Sequence, residues 1–278
     1  MNNNITNINN QPYQYASDYR NSAEDACVFI SYCDNSIIQN NTCFGEICLE
    51  YSNTPTINNN LCQTGGIYLN ICEEPSVENN IVLNSHYDGI HINHCLGALI
   101  ENNTCIEGLR YGLAFYYSNY TLVTNNTFNE FNQHGISFAS GNLQEPVSHN
   151  EISGNILRNN SYYGIKINVI SSNNTFHHNS FIDNGYLPQA YDSSENDNTW
   201  YDPTTKEGNY WSDLIECESY TLAGEDDKVS DRYPLDENLI IYCERNISFD
   251  ISSFLLIGTL SLISVSILII KRKLIELK

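Results

Sequence analysis

Two short motifs of apolar and polar positions recur along the chain and interleave with each other. The first is apolar, any residue, Asn, Asn, any residue, apolar, as in Ile38–Cys43 and Ile100–Cys105. Its second asparagine falls at Asn41, Asn60, Asn80, Asn103, Asn126, Asn155 and Asn179. The second motif is Gly, apolar, any residue, apolar, and its glycines are Gly66, Gly89, Gly112, Gly135 and Gly164. Two motifs that recur together at similar spacings over this length indicate a structural repeat of roughly 22 residues.

Each copy of the repeat contains stretches in which apolar and polar residues alternate, which is typical of strands with one buried face. Strands this short, separated by Gly and Asn turns, suit one rung of a parallel β-helix, in which each rung stacks on the one before. A leucine-rich repeat also stacks asparagines, but it needs several leucines per copy, and these copies lack them. We therefore predict an all-β fold, a single-stranded, right-handed parallel β-helix of about seven rungs.

The repeated asparagines and glycines have expected roles in such a fold. Equivalent residues on neighbouring rungs lie about 4.8 Å apart, so the seven repeated asparagines are expected to form an amide hydrogen-bond ladder. Asparagine also tolerates the left-handed backbone conformation that tight turns require, and it is expected to adopt it here. The glycine before each strand is expected to supply a backbone shape that a Cβ atom would forbid.

A closing segment after the rungs adds a family resemblance. It contains Asn198–Asp202 (NTWYD), Gly208–Asp213 (GNYWSD) and Asp231–Leu235 (DRYPL). Together with the rungs, over residues 26–236, these motifs resemble the NosD-like right-handed parallel β-helix repeat proteins. That group is pectate-lyase-like, of carbohydrate-binding type, and includes membrane-anchored surface proteins of archaeal type. The resemblance implies either a copper-handling factor or a carbohydrate-active protein. The stretch between the halves of the closing segment departs from the family pattern, which weakens the expectation of an ion site there.

The C-terminal segment predicts a membrane anchor. Residues 251–270 are uncharged and apolar, and at about 1.5 Å per residue a helix of this length crosses the hydrocarbon core of a bilayer. Lys271, Arg272 and Lys273 follow directly. The positive-inside bias therefore places the basic tail, residues 271–278, in the cytoplasm and the rest of the chain outside. This predicts a single-pass protein of the plasma membrane.

The remaining boundaries follow from the repeat. We predict a β-helix over residues 26–185 and a closing segment with a stalk over residues 186–250. Residues 1–25 are expected to be an irregular segment or the remnant of an upstream rung. They contain no basic region followed by an apolar stretch, so they do not resemble a secretory signal. We expect a signal and further rungs upstream of this sequence, and a tail-anchored protein is the alternative.

The amino-acid composition limits which classes of partner and ligand the protein is expected to bind. The 278 residues include 41 asparagines, 10 cysteines and one methionine, and the net charge is −21. A surface this acidic repels phosphate backbones, which argues against a nucleic-acid partner. Copper sites favour Cys, Met and His side chains, so the near-absence of methionine disfavours copper handling.

Several cysteines are candidates for disulfides. Cys43 and Cys62 are expected in one inward column on adjacent rungs, and Cys72 and Cys95 in another, within the distance a disulfide can bridge. The favoured alternative is that these rung cysteines fill the core as small buried residues. Cys217 and Cys243 are the two cysteines after the rungs and form a possible disulfide. No pair has the C-x-x-C spacing, so no zinc or redox motif is expected.

Two pairs of polar residues are weak candidates for ligand or cation binding. Asp88 precedes a predicted strand on which His91 points outward, and such a pair could bind a metal ion or transfer protons. Glu78 and Glu101 occupy the same outward position on adjacent rungs, where like charges repel and a Ca²⁺ ion would relieve the repulsion. A solvated polar face is the alternative for both pairs. No catalytic residue is assigned, and no cofactor other than Ca²⁺ is expected.

These features favour a non-catalytic cell-surface module that binds an extracellular polysaccharide or a surface protein along its elongated face. The alternative is a carbohydrate-active enzyme of the lyase, hydrolase or epimerase type, because fold alone does not determine activity. Among the rungs only Arg110, Arg158 and Lys166 are basic, which argues against cleavage of polyuronates. An enzyme would be distinguished from a binding module by carboxylates that converge with a cation on one face.

Overall fold

A computed structural model of the protein describes residues 4–5, 26–139, 146–167, 171–194, 198–214, 219–224 and 229–235. In this part of the chain, short strands assemble into three eight-stranded parallel sheets. Each rung contributes one strand to sheet 1, then one to sheet 2, then one to sheet 3. The described residues all fall within one compact unit, residues 1–239.

The strands of each sheet follow one another in chain order. Sheet 1 contains Ala26–Ser31, Glu46–Glu50, Ile67–Asn70, Ile90–Asn93, Leu113–Tyr116, Ile136–Phe138, Ile165–Ile167 and Ala190–Asp192. Sheet 2 contains Asn4–Ile5, Ile37–Gln39, Thr56–Asn58, Ser76–Glu78, Leu99–Glu101, Leu122–Thr124, Glu151–Ser153 and Thr175–His177. Sheet 3 contains Thr42–Cys43, Leu61–Gln63, Ile81–Ser85, Thr104–Gly108, Thr127–Phe131, Ile156–Arg158, Ser180–Ile182 and Tyr210–Trp211.

Two small sheets complete the described strands. Val147–Ser148 pairs in parallel with Ser171–Ser172, and Tyr220–Thr221 pairs antiparallel with Ser230–Asp231. The fold is therefore all-β, a parallel β-helix of the right-handed type with about seven rungs, as the repeat predicts. Each copy of the repeat contributes strands to three sheets, whereas a leucine-rich repeat has one strand per copy, which excludes that alternative.

Register keeps one apolar column above another along the whole β-helix. Ile90 pairs with Ile67 on one side and with Leu113 on the other, and all three side chains point inward and are buried. The core is aliphatic and cysteine-rich in the early rungs and becomes aromatic toward the closing segment. Phe115 and Phe138, for example, stack with ring centroids 4.6 Å apart. Burial of these periodic side chains is the main force that holds the rungs together.

The asparagine ladder is confirmed. The Nδ2 of Asn80 donates to Oδ1 of Asn103 at 3.0 Å, and Asn103 donates in the same way to Asn126 at 2.9 Å. The ladder residues Asn41, Asn60, Asn80, Asn103, Asn126, Asn155 and Asn179 are all buried. The left-handed conformation belongs instead to the preceding residue of each pair, such as Asn102 with φ of 55°. Where the motif has two asparagines, the first adopts the left-handed turn conformation and the second forms the ladder hydrogen bonds. A single asparagine was expected to do both.

The repeated glycines serve a different purpose from the one expected. Gly89 and Gly112 do not lie among the residues with positive φ. A Cβ atom on Gly89 would stand 2.7 Å from the carbonyl oxygen of Gly112, and one on Gly112 would stand 2.7 Å from the Cβ of Phe128. Glycine is required here because the neighbouring rung and the core approach closely, rather than because the backbone is left-handed.

Several predictions fall outside the described residues, among them the membrane span, the basic tail and the Cys217–Cys243 disulfide. No helix long and apolar enough to cross a membrane occurs in the described ranges. Cys43, Cys62, Cys72 and Cys95 are buried free thiols, which agrees with the core-filling interpretation of the rung cysteines.

Candidate functional site

The outer face of sheet 1 carries a polar cluster around Asp88 and His91. Asp88 lies in the turn before strand Ile90–Asn93, and His91 is the outward residue between the inward Ile90 and Ile92. Oδ2 of Asp88 lies 2.8 Å from Nδ1 of His91, with the Asp88 side chain fully buried and the His91 side chain 12% exposed. A carboxylate in this position fixes the orientation of the imidazole.

Tyrosine rings enclose His91 from the neighbouring rungs. Tyr68 pairs with His91 in register, and the ring centroids are 4.7 Å apart. On the other side the partner in register is Ala114, whose small side chain leaves room for Tyr116, two residues further on. The Tyr116 ring stacks on His91, also at 4.7 Å. The imidazole is therefore fixed by stacking as well as by its contact with Asp88.

Arg110 brings a cation to this cluster. Its Nη2 donates to the hydroxyl oxygen of Tyr116 at 3.4 Å, and its Cζ lies 4.8 Å from the centroid of the Tyr111 ring. Burial opposes the guanidinium charge, but Asp88, Tyr111 and Tyr116 outweigh it and raise the pKa of Arg110. Burial, followed by a smaller contribution from Asp88, raises the pKa of Tyr116. Arg110 is thus a cation and Tyr116 a neutral phenol at physiological pH.

Ring contacts continue along the same side of the molecule toward the closing segment. The Tyr111 ring stacks on His134 at 5.6 Å, and His134 stacks on Tyr163 at 5.7 Å. Nδ1 of His134 accepts the Tyr163 N–H, and burial, aided by Lys166, lowers the pKa of His134 to about 3. We call the whole set the aromatic strip: Tyr68, His91, Tyr111, Tyr116, His134, Tyr162, Tyr163, Tyr186 and Tyr191.

The chain next to Arg110 also lines a groove of about 420 Å³. Its walls present both apolar and polar surface and come from four consecutive rungs: Thr64, Asn84, Ser85, His86, Glu107, Gly108, Leu109, Glu130 and Asn132. Ser85 is buried in its floor, and the hydroxyl donates weakly to the Tyr87 carbonyl at 3.4 Å. The groove and the aromatic strip are connected through the segment from Gly108 to Tyr111.

The four residues singled out from the sequence separate into two places. Asp88 and His91 meet on sheet 1, whereas Glu78 and Glu101 pair in register on sheet 2, where Ser76 also donates to Glu78. Arg110 and Tyr116 were missed, because the stack of Tyr116 on His91 joins two rungs and Arg110 reaches the cluster through Tyr116. The column of outward residues on sheet 1 places Tyr68 beside His91 and could have revealed that stack. The scarcity of basic residues did not prevent one of them from lying beside Asp88.

Comparison with solved structures gives distant likenesses. The A-module of the mannuronan C-5 epimerase AlgE6 from Azotobacter vinelandii aligns with 13% identity and a TM-score of 0.48, over 57% of this chain and 54% of the module. The chain thus spans about half of that module. The fluoroquinolone resistance protein QnrB1 aligns with 13% identity and a TM-score of 0.20, over 64% of this chain and 91% of QnrB1. No curated protein gives a significant match.

A family model described as "Periplasmic copper-binding protein (NosD)" matches residues 1–99 and 46–215. Copper favours thiolate, thioether and imidazole ligands. Among the residues that the structure describes, no three His, Cys, Asp or Glu side chains converge to hold a metal ion. Burial raises the pKa of the Cys105 thiol well above its usual range, which opposes the thiolate that a copper ion requires. The described residues therefore do not fit a copper centre.

The family matches nevertheless extend over most of the β-helix and its closing segment. They jointly span residues 1–215, which is more than half of the 278-residue chain. The periplasmic location in the family description is consistent with the prediction that the β-helix lies outside the cytoplasm. On the strength of these matches and of the parallel β-helix, the chain belongs to the NosD family.

Proposed function

We propose that the protein is an exported module that binds a carbohydrate chain along sheet 1. The observation that supports this most strongly is the aromatic strip, in which tyrosine and histidine rings stack from rung to rung. Tyrosine offers a rigid apolar body with a hydroxyl at its tip, a combination that suits both the C–H faces and the hydroxyl groups of sugars. Stacking restricts these rings before any ligand arrives, which lowers the entropic cost of binding.

The charge distribution limits which class of glycan the protein can bind. The net charge of −21 disfavours long polyanions. Arg110 lies beside Tyr116, and Lys166 lies over the Tyr191 ring at 5.6 Å, so the strip holds two cations some distance apart. We therefore favour a neutral glycan, or one with isolated acidic sugars. A surface protein that presents such a glycan is an equivalent partner.

The proposal includes attachment to the membrane. Residues 251–270 are an uncharged apolar run that precedes three basic residues, Lys271 to Lys273, and this pattern supports a single span with a cytoplasmic tail. The β-helix would then be held at the outer surface of the plasma membrane. Protease treatment of intact cells tests the orientation, because a domain on the outer surface is digested while the tail is protected.

The binding proposal is tested with the full-length chain on a panel of immobilised neutral and acidic polysaccharides, with and without Ca²⁺. We expect retention on at least one polysaccharide, and we expect a Tyr68→Ala substitution to weaken it at least tenfold. Gln39→Ala on sheet 2 is the matched control. If binding requires Ca²⁺, and if Glu78→Gln and Glu101→Gln abolish that requirement, the result would support the proposed cation site on sheet 2. No retention on any polysaccharide would contradict the proposal.

A second candidate function is proton-transfer chemistry on a uronate sugar. It is favoured by the convergence of Asp88, Arg110, His91 and Tyr116. In an elimination, Arg110 would hold the sugar carboxylate while His91 takes the proton from the adjacent C5. The electron pair then forms the C4–C5 double bond, the C4–O bond breaks, and the leaving oxygen takes the Tyr116 hydroxyl proton. Unsaturated products absorb ultraviolet light, so their absence after incubation with oligouronates would exclude the elimination.

A further inference from the structure

A second row of large side chains, four of them aromatic, occupies an unexpected backbone conformation. Tyr32, Tyr51, Ile71, His94 and Tyr117 follow the strands of sheet 1 on five consecutive rungs, and we call them the ridge. Each has a positive φ, between 50° and 54°. Hydrogen bonds between rungs align the first four, because each of their N–H groups donates to the carbonyl oxygen of the last strand residue of the next rung, as Tyr51 does to Asn70 at 3.0 Å.

The ridge residues are a poor choice for the turn itself. Left-handed conformations favour glycine and asparagine, and a β-branched residue such as Ile71 is an outlier there. The chain supplies its own comparison in the turn between sheets 2 and 3. There the left-handed residues are Asn40, Asn59, Asn79, Asn102 and Asn125, with φ between 54° and 57°. Bulky side chains at strained positions therefore indicate a role other than folding.

The ridge is exposed to solvent. Tyr32 is 77% exposed, Ile71 43% and Tyr51 40%. The Tyr32 and Tyr51 rings stack at 4.7 Å with an interplanar angle of 3°, and His94 and Tyr117 lie 4.6 Å apart. Because the Tyr32 and Tyr51 rings cover one another's faces, they offer a ligand their edges and hydroxyls, one set per rung. The exposed side chain of Ile71 adds an apolar contact in the middle of this row.

We infer that the ridge binds a straight, uncharged glycan chain that runs parallel to the axis of the β-helix. A peptide strand fits poorly, since its side chains on one face repeat at about 6.6 Å, out of step with the rungs. Successive sugar rings of an extended chain repeat at an interval close to the rung spacing. Glu73 and Glu74 are exposed in the turn beside Ile71, and their charge opposes an acidic chain. The inference rests on the proposed carbohydrate function and assigns it a second surface.

The test is titration calorimetry of the full-length chain in detergent micelles with cellohexaose and with an oligogalacturonate of the same length. The ridge variant combines Tyr32→Asn, Tyr51→Asn and Ile71→Asn. We expect it to bind cellohexaose at least tenfold more weakly than the wild type while its melting temperature is unchanged or higher. A purely structural ridge would give a lower melting temperature and unchanged affinity. Tyr120→Asn, at another turn position that is 60% exposed with φ of 56°, is the matched control.

The outcomes distinguish failure of the ridge inference from failure of the aromatic strip as the glycan-binding surface. If the ridge variant binds cellohexaose as tightly as the wild type while Tyr68→Ala weakens binding, the ridge inference is wrong and the proposed function stands. If only the ridge variant loses binding, the strip is not the glycan surface. Binding of oligogalacturonate in preference to cellohexaose, or of neither, overturns the ridge inference.

Discussion

Asp231 ends the asparagine ladder by accepting hydrogen bonds from Asn209. Its Oδ2 receives the backbone N–H of Asn209 at 2.6 Å and the side-chain amide at 3.2 Å. Every asparagine of the ladder donates its side-chain amide toward the next rung. The final amide therefore needs an acceptor, and an acceptor with an N–H of its own would in turn need another partner. A carboxylate meets this need and also faces the positive end of the aligned amide dipoles.

Two shorter ladders end in the same way. Asn150 donates to Asn174, Asn174 donates to Asn198, and Asn198 reaches the carboxylate of Asp192 at 3.3 Å. The other ladder runs from Asn160 through Asn184 to Gln189, which donates to Asp213 at 2.5 Å. The GNYWSD and DRYPL motifs therefore supply the hydrogen-bond termini of two of the three ladders, through Asp213 and Asp231, which explains why they follow the last rung.

Replacing Asp231 by asparagine should destabilise the β-helix. The amide has one acceptor oxygen, whereas Asp231 accepts from Asn209 and from the Trp211 indole at 3.0 Å through Oδ2, and from Tyr233 N–H through Oδ1. At least one buried donor loses its partner, so we expect the free energy of unfolding to fall by about 1–3 kcal/mol. Urea unfolding measures the change. Asp183→Asn, at an exposed site, is the control, and equal stability of the two variants would refute the terminus role.

Substitution of the two asparagines of one motif should change stability by different amounts. Asn103→Ala removes the acceptor for the N–H and the amide of Asn80 and should cost about 1–3 kcal/mol for each buried donor left unpaired. Asn102→Gly changes an exposed residue at φ of 55°, where glycine is readily accepted, and should change stability by less than about 0.5 kcal/mol. The same urea assay compares the variants, and a reversed order would contradict the division of roles.

The sequence predicts the ladder wherever the asparagine motif persists, even across the 29-residue spacing from Asn126 to Asn155, and it fails where the motif is lost. Asn41 to Asn179 share one motif, whereas Asn209 follows Asn179 by 30 residues and lies in a different sequence context. The candidate site likewise contains contacts that the sequence predicts and contacts that it does not. Asp88 and His91 are three residues apart and could be paired from the alternation of one strand. The stack of Tyr116 on His91 depends on the small side chain of Ala114 on the next rung, which no local pattern indicates.

His134 should make stability depend on pH. It is neutral in the folded protein, with a pKa lowered from 6.5 to about 3, while in the unfolded chain it takes up a proton near pH 6.5. The stabilisation is complete above that pH and is lost as the pH falls toward 3, by up to about 1.4 kcal/mol per pH unit from this residue.

A matched variant isolates this contribution. His134→Gln keeps an acceptor for the Tyr163 N–H but cannot titrate, so its stability should fall less steeply between pH 6.5 and 4 than that of the wild type. Thermal unfolding across this range measures both slopes. Parallel curves for the two proteins would show that the buried imidazole does not contribute to the pH dependence.

Carbene footprinting of the full-length chain, with and without the polysaccharide that it retains, tests the central claim most directly. This reaction labels exposed side chains, and the aromatic strip offers Tyr162 at 39% and Tyr186 at 45% exposure, with Tyr68 half-buried beside His91. The account predicts that bound glycan lowers labelling of these three tyrosines, while Leu122 on sheet 2, which is 36% exposed, is labelled as before. Unchanged labelling of the strip with glycan bound, or protection confined to sheet 2, would contradict it.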